Sequence, residues 1–128
     1  MDILKKGKIL GDLEKEIMEI IWKQQNPTSV KQVTEILQTK RKVAYTTILT
    51  IMTRLADKGL LKRKILGKAY LYYPASSKDK FLSNTSRQII KNFFSSFGDA
   101  AVAHFSEEIA NISPEKRKEL LKLLRERK

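Results

Sequence analysis

The apolar side chains of the N-terminal half recur at intervals of three and four residues, which is the spacing of one helical face. Three such stretches predict α-helices over residues 10–25, 30–37 and 44–58. Pro27 ends the first helix, because the residue before a proline avoids the α region. Ser29 and Gln32 have capping-box spacing at the start of the second helix, and Gly59 can end the third.

After Gly59 the apolar period changes from about 3.6 residues to about two. The alternating runs 60–66 and 68–74 meet at Gly67 and predict a β-hairpin. One side of the alternation is rich in Leu, Ile and Tyr, and the other side is rich in Lys and Arg. Three helices followed by a small two-stranded sheet are therefore expected.

The remainder of the chain is again helical in pattern. One helix begins after Ser77 and ends near Gly98, a second begins at Asp99, and Pro114 takes the first position of a third. Their apolar faces are too small for a separate core and need a partner, either the N-terminal domain or a second copy of the chain. We favour the second copy, because a two-fold interface buries self-complementary apolar faces. The side chains assigned to this interface are Phe93, Phe94, Phe97, Val102, Phe105, Leu120 and Leu124.

Positive charge is concentrated in one part of the chain. The net charge is +12, from 26 Lys and Arg residues against 14 Asp and Glu residues. Residues 40–68 contain nine basic residues and a single acid, Asp57, and so hold +8 of that excess. A focused excess of this kind indicates a nucleic acid, an anionic membrane or an acidic protein as the partner.

The composition argues against a membrane protein and against catalysis. No apolar run reaches the roughly 18 residues of a membrane span, and the N-terminus lacks the apolar region of a signal peptide. We therefore expect a cytoplasmic protein without a membrane partner. The chain has no cysteine and one histidine, and it lacks a phosphate-binding loop and convergent acids. We expect no enzyme, no metal site and no cofactor.

The third predicted helix has an unusual outer face. Its core side holds, within about 100° of the helical wheel, Ala44, Ile48, Ile51, Met52 and Leu55. The opposite side and its flanks carry Tyr45, Thr46, Thr47, Leu49, Thr50, Thr53, Arg54 and Asp57. Threonine is a mediocre helix former, but its hydroxyl and methyl groups suit base edges in a major groove. Neighbouring cations would contact phosphates. The alternative is an ordinary solvated surface.

The order helix, helix, short turn, helix and basic hairpin is that of a winged helix-turn-helix. We predict a mainly α fold with a small β-hairpin, in which residues 1–75 form a winged helix-turn-helix DNA-binding domain and residues 76–128 form a helical dimerisation region. Gly67 and Lys68 are the predicted wing tip. Sequence-specific DNA binding is the favoured function. A protein-interaction adaptor and a nonspecific nucleic-acid binder are the alternatives.

The sequence resembles the penicillinase and methicillin-resistance repressor family. The resemblance is carried by LGDLEKEIMEIIW, SVKQVTEIL and VAYTTILTIMTRLADKGLLKR, and it continues through SSKDKFLSNTSRQIIKNFF and GDAAVAHFSEE. It implies a homodimeric transcriptional repressor that binds a palindromic operator in double-stranded DNA. Mapped by position, it implies base contacts from Tyr45, Thr46, Thr47 and Thr50. It further implies phosphate contacts from Lys42, Arg54, Arg63 and Lys68.

Two features of the family concern its signals. Relatives that sense β-lactams through a membrane receptor are inactivated by cleavage ahead of a phenylalanine in the dimerisation part. The matching bond joins His104 to Phe105, where the best-known members have asparagine before the bond. The resemblance implies a signalling protease as a partner and this bond as the candidate cleavage site; otherwise His104 is an ordinary helix residue. Copper-responsive relatives carry C-terminal cysteines, which this chain lacks, so thiolate metal sensing is excluded.

Overall fold

The computed structural model describes residues 10–126, apart from the side chains of Leu124 and Glu126. Its elements are α1 (Asp12–Lys23), α2 (Val30–Gln38), α3 (Tyr45–Asp57), β1 (Leu61–Leu66), β2 (Ala69–Pro74), α4 (Lys78–Asn111) and α5 (Pro114–Glu126). They confirm the predicted mainly α fold with one hairpin. The chain divides into an N-terminal unit that ends at Phe81 and a C-terminal unit that begins at Leu82. Within residues 10–126, no helix is long and apolar enough to span a bilayer.

Local hydrogen bonds explain where the first two helices begin. The Gly11 N–H donates to the Glu14 carboxylate over 2.9 Å at the start of α1. At α2, the Ser29 N–H donates to the Gln32 side-chain oxygen over 2.8 Å, and the Gln32 N–H donates to the Ser29 hydroxyl over 3.1 Å. These two bonds satisfy N–H groups that a helix start leaves without a partner, and they confirm the predicted capping box.

One apolar core holds the N-terminal unit together, with side chains from all three of its first helices and from both strands. Its buried members are Ile17, Met18, Ile21, Val30, Val33, Leu37, Ile48, Met52, Leu55, Leu61 and Tyr72. The wheel prediction for α3 is confirmed at Ile48, Met52 and Leu55. It is wrong at Ala44, which is exposed because it is the N-cap and precedes the first helical turn. Ile51 is half-buried at the edge of the core.

The hairpin is anchored to the loop before α2 by a contact that the sequence did not indicate. The Thr28 N–H donates to the Tyr72 carbonyl over 2.8 Å, and the Tyr72 N–H donates to the Thr28 carbonyl over 2.8 Å. Both residues are buried. Thr28 therefore serves as a third strand position beside β2 and is not part of the α2 cap. The cap itself is made by Ser29 alone.

The strands pair antiparallel, with Arg63 opposite Tyr72 and Ile65 opposite Tyr70. Since alternate residues share a face, Arg63 lies on the same face as the buried Leu61. The predicted separation into an apolar side and a basic side is therefore wrong at Arg63. It is also wrong at the distal end of the hairpin, where Ile65 is 67% exposed because it lies beyond the core.

The first turn of α4 packs against α1. The indole N–H of Trp22 donates to the Ser76 carbonyl over 3.1 Å, and the Trp22 and Phe81 rings lie 5.3 Å apart between centroids. Lys78 forms an ion pair with Glu19 at 2.8 Å. Residues 76–81, which the sequence analysis assigned to the dimerisation region, therefore pack with the N-terminal unit.

The C-terminal unit contains α5 and the rest of α4. Gly98 interrupts α4 with φ 62° and ψ −139°, a conformation that glycine adopts without a Cβ penalty. This confirms the predicted helix end near Gly98. The Ser113 hydroxyl accepts from the Lys116 N–H over 3.3 Å, which confirms the predicted cap before Pro114. Among the described side chains of this unit, Ala101 is the one buried residue.

Replacing Ser29 with alanine is expected to destabilise the N-terminal unit by about 1 kcal/mol, because the Gln32 N–H loses its acceptor. Ser29→Asn is the matched control and should cost little, because its side-chain oxygen can accept from the Gln32 N–H in the same way. Urea denaturation followed by the fluorescence of Trp22, the only tryptophan, reports on this unit. Equal loss of stability in both variants would show that the capping hydroxyl contributes nothing.

Candidate nucleic-acid interface

The core fixes which side of α3 points outward. Ile48, Met52 and Leu55 are each 0% exposed, so the side of the helix opposite them faces solvent. We call this side the outer face of α3; it comprises Thr46, Leu49, Thr50, Thr53 and Asp57. Within it, Thr46, Thr50 and Asp57 are exposed and Thr53 is half-buried. Leu49 is 39% exposed and is the apolar side chain of this face.

The predicted base-contacting residues lie together at the start of α3. Tyr45 is the first residue of the helix and is 48% exposed. Thr46, Thr47 and Thr50 are exposed as well. A helix can enter a major groove of about 12 Å width, and these four side chains occupy its first two turns.

Two threonine hydroxyls on the outer face donate to the helix backbone. The Thr50 hydroxyl donates to the Thr46 carbonyl over 2.9 Å, and the Thr53 hydroxyl donates to the Leu49 carbonyl over 2.8 Å. Each hydroxyl has one proton and two acceptor sites. Both groups therefore present a methyl group and oxygen lone pairs to solvent.

The cations around α3 differ in how they are held. Arg41 forms an ion pair with Glu16 at 2.8 Å, and Lys58 forms one with Glu14 at 3.3 Å. Both pairs are largely exposed, and contribute little to stability, but they orient these two cations toward α1. Of the predicted phosphate contacts, Lys42 is exposed just before α3, and Arg54 is exposed on α3. Sequence reasoning had no means to separate the two groups, because the ion pairs link residues far apart in the chain.

The wing carries the remaining predicted cations. The Arg63 guanidinium lies 5.2 Å from the centre of the Tyr70 ring, a cation–π distance that orders both side chains. Lys68 is exposed beside Gly67, whose φ of 65° makes the turn. The stacking partner Tyr70 was missed, since the strand register is what makes Tyr70 a diagonal cross-strand neighbour of Arg63. Arg63 and Lys68 lie on the hairpin, while Lys42, Tyr45, Thr46, Thr47, Thr50 and Arg54 lie on or next to α3.

The residues predicted for self-association are placed in the C-terminal unit with different exposures. Phe97, Val102 and Phe105 are 65%, 46% and 38% exposed. Phe93, Phe94 and Leu120 are half-buried. The Phe94 and Phe105 rings meet edge to face, with centroids 5.6 Å apart. The side chain of Leu124 lies outside the described residues.

The candidate cleavage bond lies inside the second half of α4. His104 is exposed, and its Nδ1 lies 3.7 Å from a Glu107 carboxylate oxygen. His104 is therefore an exposed residue within a helix.

One electrostatic shift accompanies the packing of α4 on α1. The hydrogen bond from Lys78 lowers the pKa of Glu19 below its ordinary value of 4.5. The Glu19 carboxylate is thus ionised at neutral pH, and the stability that it contributes through Lys78 is lost as the pH falls through the lowered pKa of Glu19.

The N-terminal unit has three packed helices, of which the third is exposed on one side, and an antiparallel hairpin. This arrangement is a winged helix-turn-helix of the DNA-binding class. The family model for the penicillinase repressor matches residues 10–126. The chain belongs to this family. It is accordingly a DNA-binding transcriptional repressor, and the family is not one of enzymes.

Individual relatives agree with the family match. The transcriptional regulator BlaI of Mycobacterium tuberculosis (strain H37Rv) is 34% identical over 101 residues, which are 78% of this chain and 73% of that protein. The penicillinase repressor of Bacillus licheniformis is 27% identical over 125 residues, covering 98% and 96%. The methicillin resistance regulatory protein MecI of Staphylococcus aureus (strain N315) is 28% identical over 115 residues, covering 90% and 92%. The resemblance inferred from the sequence is confirmed.

Proposed function

We propose that the chain represses transcription as a homodimer bound to a palindromic operator, with α3 of each copy in a major groove. The observation that carries the proposal is the outer face of α3. It faces solvent, consists mainly of short threonine side chains and has exposed cations nearby. Repression is steric: the bound dimer occupies DNA that the transcription machinery needs. The half-sites would lie about one helical turn or a small multiple apart, as two-fold symmetric recognition helices require.

Base contacts are assigned to Tyr45, Thr46, Thr47 and Thr50. They stand on a helix whose rotation is fixed by buried side chains, so they are presented to DNA without a further rearrangement. Their hydroxyl and methyl groups match the polar and apolar features of base edges. Surface threonines alone would not support this assignment. The grouping of Thr46 and Thr50 on the outer face, with exposed cations nearby, does.

Phosphate contacts are assigned to Lys42, Arg54, Arg63 and Lys68. Lys42 is exposed just before α3, Arg54 is exposed on α3 itself, and Lys68 is exposed at the wing tip. Arg63 is held along the wing by Tyr70. Such contacts set the register and orientation of the protein on the duplex and carry no sequence information directly.

Dimerisation is assigned to the C-terminal unit. Exposed apolar side chains recur on both of its helices, including Phe97, Val102 and Leu123, which are 65%, 46% and 51% exposed. A second copy would cover these surfaces in an isologous interface. The bond between His104 and Phe105 is proposed as the cleavage site of a signalling protease. Because it lies in α4, cleavage would follow local unfolding of that helix.

Substitutions in the two groups of contacts should have different effects on DNA binding. The double variant Thr46→Ala/Thr50→Ala is expected to lower the ratio of operator affinity to nonspecific affinity about tenfold. This is the effect of losing hydrogen bonds of ordinary strength. Lys42→Ala with Lys68→Ala should instead weaken all duplexes alike and reduce the slope of log affinity against log salt by about one unit per lost phosphate contact. Titrations of operator and scrambled duplexes at several salt concentrations measure both. The same response from both pairs would contradict the division.

Introducing a charge into the apolar surface of α4 should separate the copies. Val102→Glu is expected to give a monomer in sedimentation and to weaken binding to the full palindrome by roughly 10²–10⁴-fold, the loss expected when two linked contacts become independent. Binding to an isolated half-site should be unchanged. Ala100→Glu is the control, because it adds the same charge on roughly the opposite side of the helix at an exposed position. A dimeric Val102→Glu variant would place the interface elsewhere.

A further inference from the structure

The outer face of α3 is unusual in the chemical groups that it lacks. At about 100° per residue, its members Leu49, Thr53, Thr46, Asp57 and Thr50 occupy one continuous arc of about 100°. All of α3 is described, and this arc contains no lysine, arginine, asparagine or glutamine. The charged and aromatic flanks, Arg54 and Tyr45, lie outside it. No cationic or amide N–H donor therefore stands at the centre of the face that would meet the bases.

Two of the three threonine hydroxyls in this arc have their proton engaged by the helix backbone. Thr50 donates to the Thr46 carbonyl at 2.9 Å, and Thr53 donates to the Leu49 carbonyl at 2.8 Å. The lone pairs of both oxygens remain available. Asp57, exposed at the C-terminal end of α3, has only acceptor sites when it is ionised. The middle and end of the face thus offer hydrogen-bond acceptors and methyl groups.

The bases differ in what they could give to such a surface. In the major groove, adenine presents its N6 amino group and cytosine its N4 amino group as donors, and thymine presents a methyl group. Guanine presents the acceptors N7 and O6. An acceptor surface can bind the amino groups of adenine or cytosine, whereas it leaves the acceptors of guanine without a partner.

Leu49 supplies the apolar part of the same surface. Its side chain is 39% exposed although the core of the unit lies on the other side of the helix. It stands one turn from Thr46 and Thr53, so it borders both threonine positions. A thymine methyl group is the feature of the major groove that an aliphatic side chain can cover.

We infer that the outer face of α3 selects amino groups and methyl groups: Thr50 accepts from an adenine N6 or cytosine N4 amino group, and Leu49 covers a thymine methyl. Leu49 is thereby a specificity-determining residue in addition to the assigned base contacts. The inference rests on the proposed function, because it requires α3 to lie in a major groove. It predicts that guanine is absent from the strand positions that Thr50 and Leu49 contact.

The methyl contact is tested by removing the methyl group from the DNA. Duplexes are first selected from a random pool by the full chain at near-physiological salt, and each thymine of a selected half-site is then replaced by uracil. One such replacement should weaken the wild-type chain by about fourfold, the effect of burying one methylene-sized group. The Leu49→Ala variant should bind the thymine and the uracil duplex with equal affinity at that position. Leu66→Ala is the control, since this apolar residue is 67% exposed on the wing and should keep the sensitivity.

The amino-group contact is tested in the same duplexes. Replacing an adenine by purine, or a cytosine by 2-pyrimidinone, removes only the amino group. One of these replacements should weaken the wild-type chain by roughly two- to tenfold, the range of a single hydrogen bond. Thr50→Val, which keeps the shape and loses the hydroxyl, should be insensitive to it. Thr50→Ser, which keeps the hydroxyl, should recover the sensitivity. Trp22 fluorescence during thermal unfolding shows whether each variant is folded.

The outcomes separate this inference from the proposed function. Both are supported if the chain selects a palindrome and two losses of affinity disappear in the variants. The loss on removing a thymine methyl should disappear in Leu49→Ala, and the loss on removing a base amino group should disappear in Thr50→Val. A selected palindrome with no such coupling, or with guanine required at the coupled positions, overturns the readout and leaves operator binding intact. Failure of the wild-type chain to select or bind any duplex overturns both.

Discussion

The burial of one side of α3 is the constraint on which the rest of the account depends. Ile48, Met52 and Leu55 are fully buried, and each contributes about 1.5–3 kcal/mol by leaving water. Rotating the helix would expose these side chains and carry Asp57 toward the core, where an unpaired charge is costly. The rotation of α3 is therefore fixed by packing. Which residues are available for DNA follows from it.

The wing depends on a second, smaller constraint. The paired backbone hydrogen bonds between Thr28 and Tyr72 fasten β2 to the loop between α1 and α2, and the buried ring of Tyr72 places the base of the hairpin in the core. Beyond that base, the hairpin extends past the packed interior, and Arg63 stacks on Tyr70. The hairpin is thus anchored at its base and exposed at its distal end. This fixes where the cations of the wing lie relative to α3.

The sequence predicted those features that depend on neighbouring residues. Helix positions followed from apolar spacing, the Ser29–Gln32 cap from a local motif, and the breaks at Gly59 and Gly98 from glycine. It could not predict the bridge of Thr28 to Tyr72 or the ion pairs of Arg41 and Lys58 with α1, because these join residues that only the fold brings together. For the candidate site, the exposed threonines were found by their position opposite the core stripe. The donation of their hydroxyls to the helix backbone could not be predicted, since it depends on side-chain rotamers.

A single cysteine gives the most direct measurement of whether the outer face of α3 meets DNA, because the chain has no cysteine of its own. Thr50→Cys would be alkylated with and without a duplex selected by the wild-type chain, with Ser95→Cys in the C-terminal unit as the reference. The account predicts that the duplex slows alkylation at position 50 at least tenfold, about the effect of 1.4 kcal/mol of protection, and leaves position 95 unchanged. Equal reactivity of the residue 50 thiol in the free and the bound chain would contradict it.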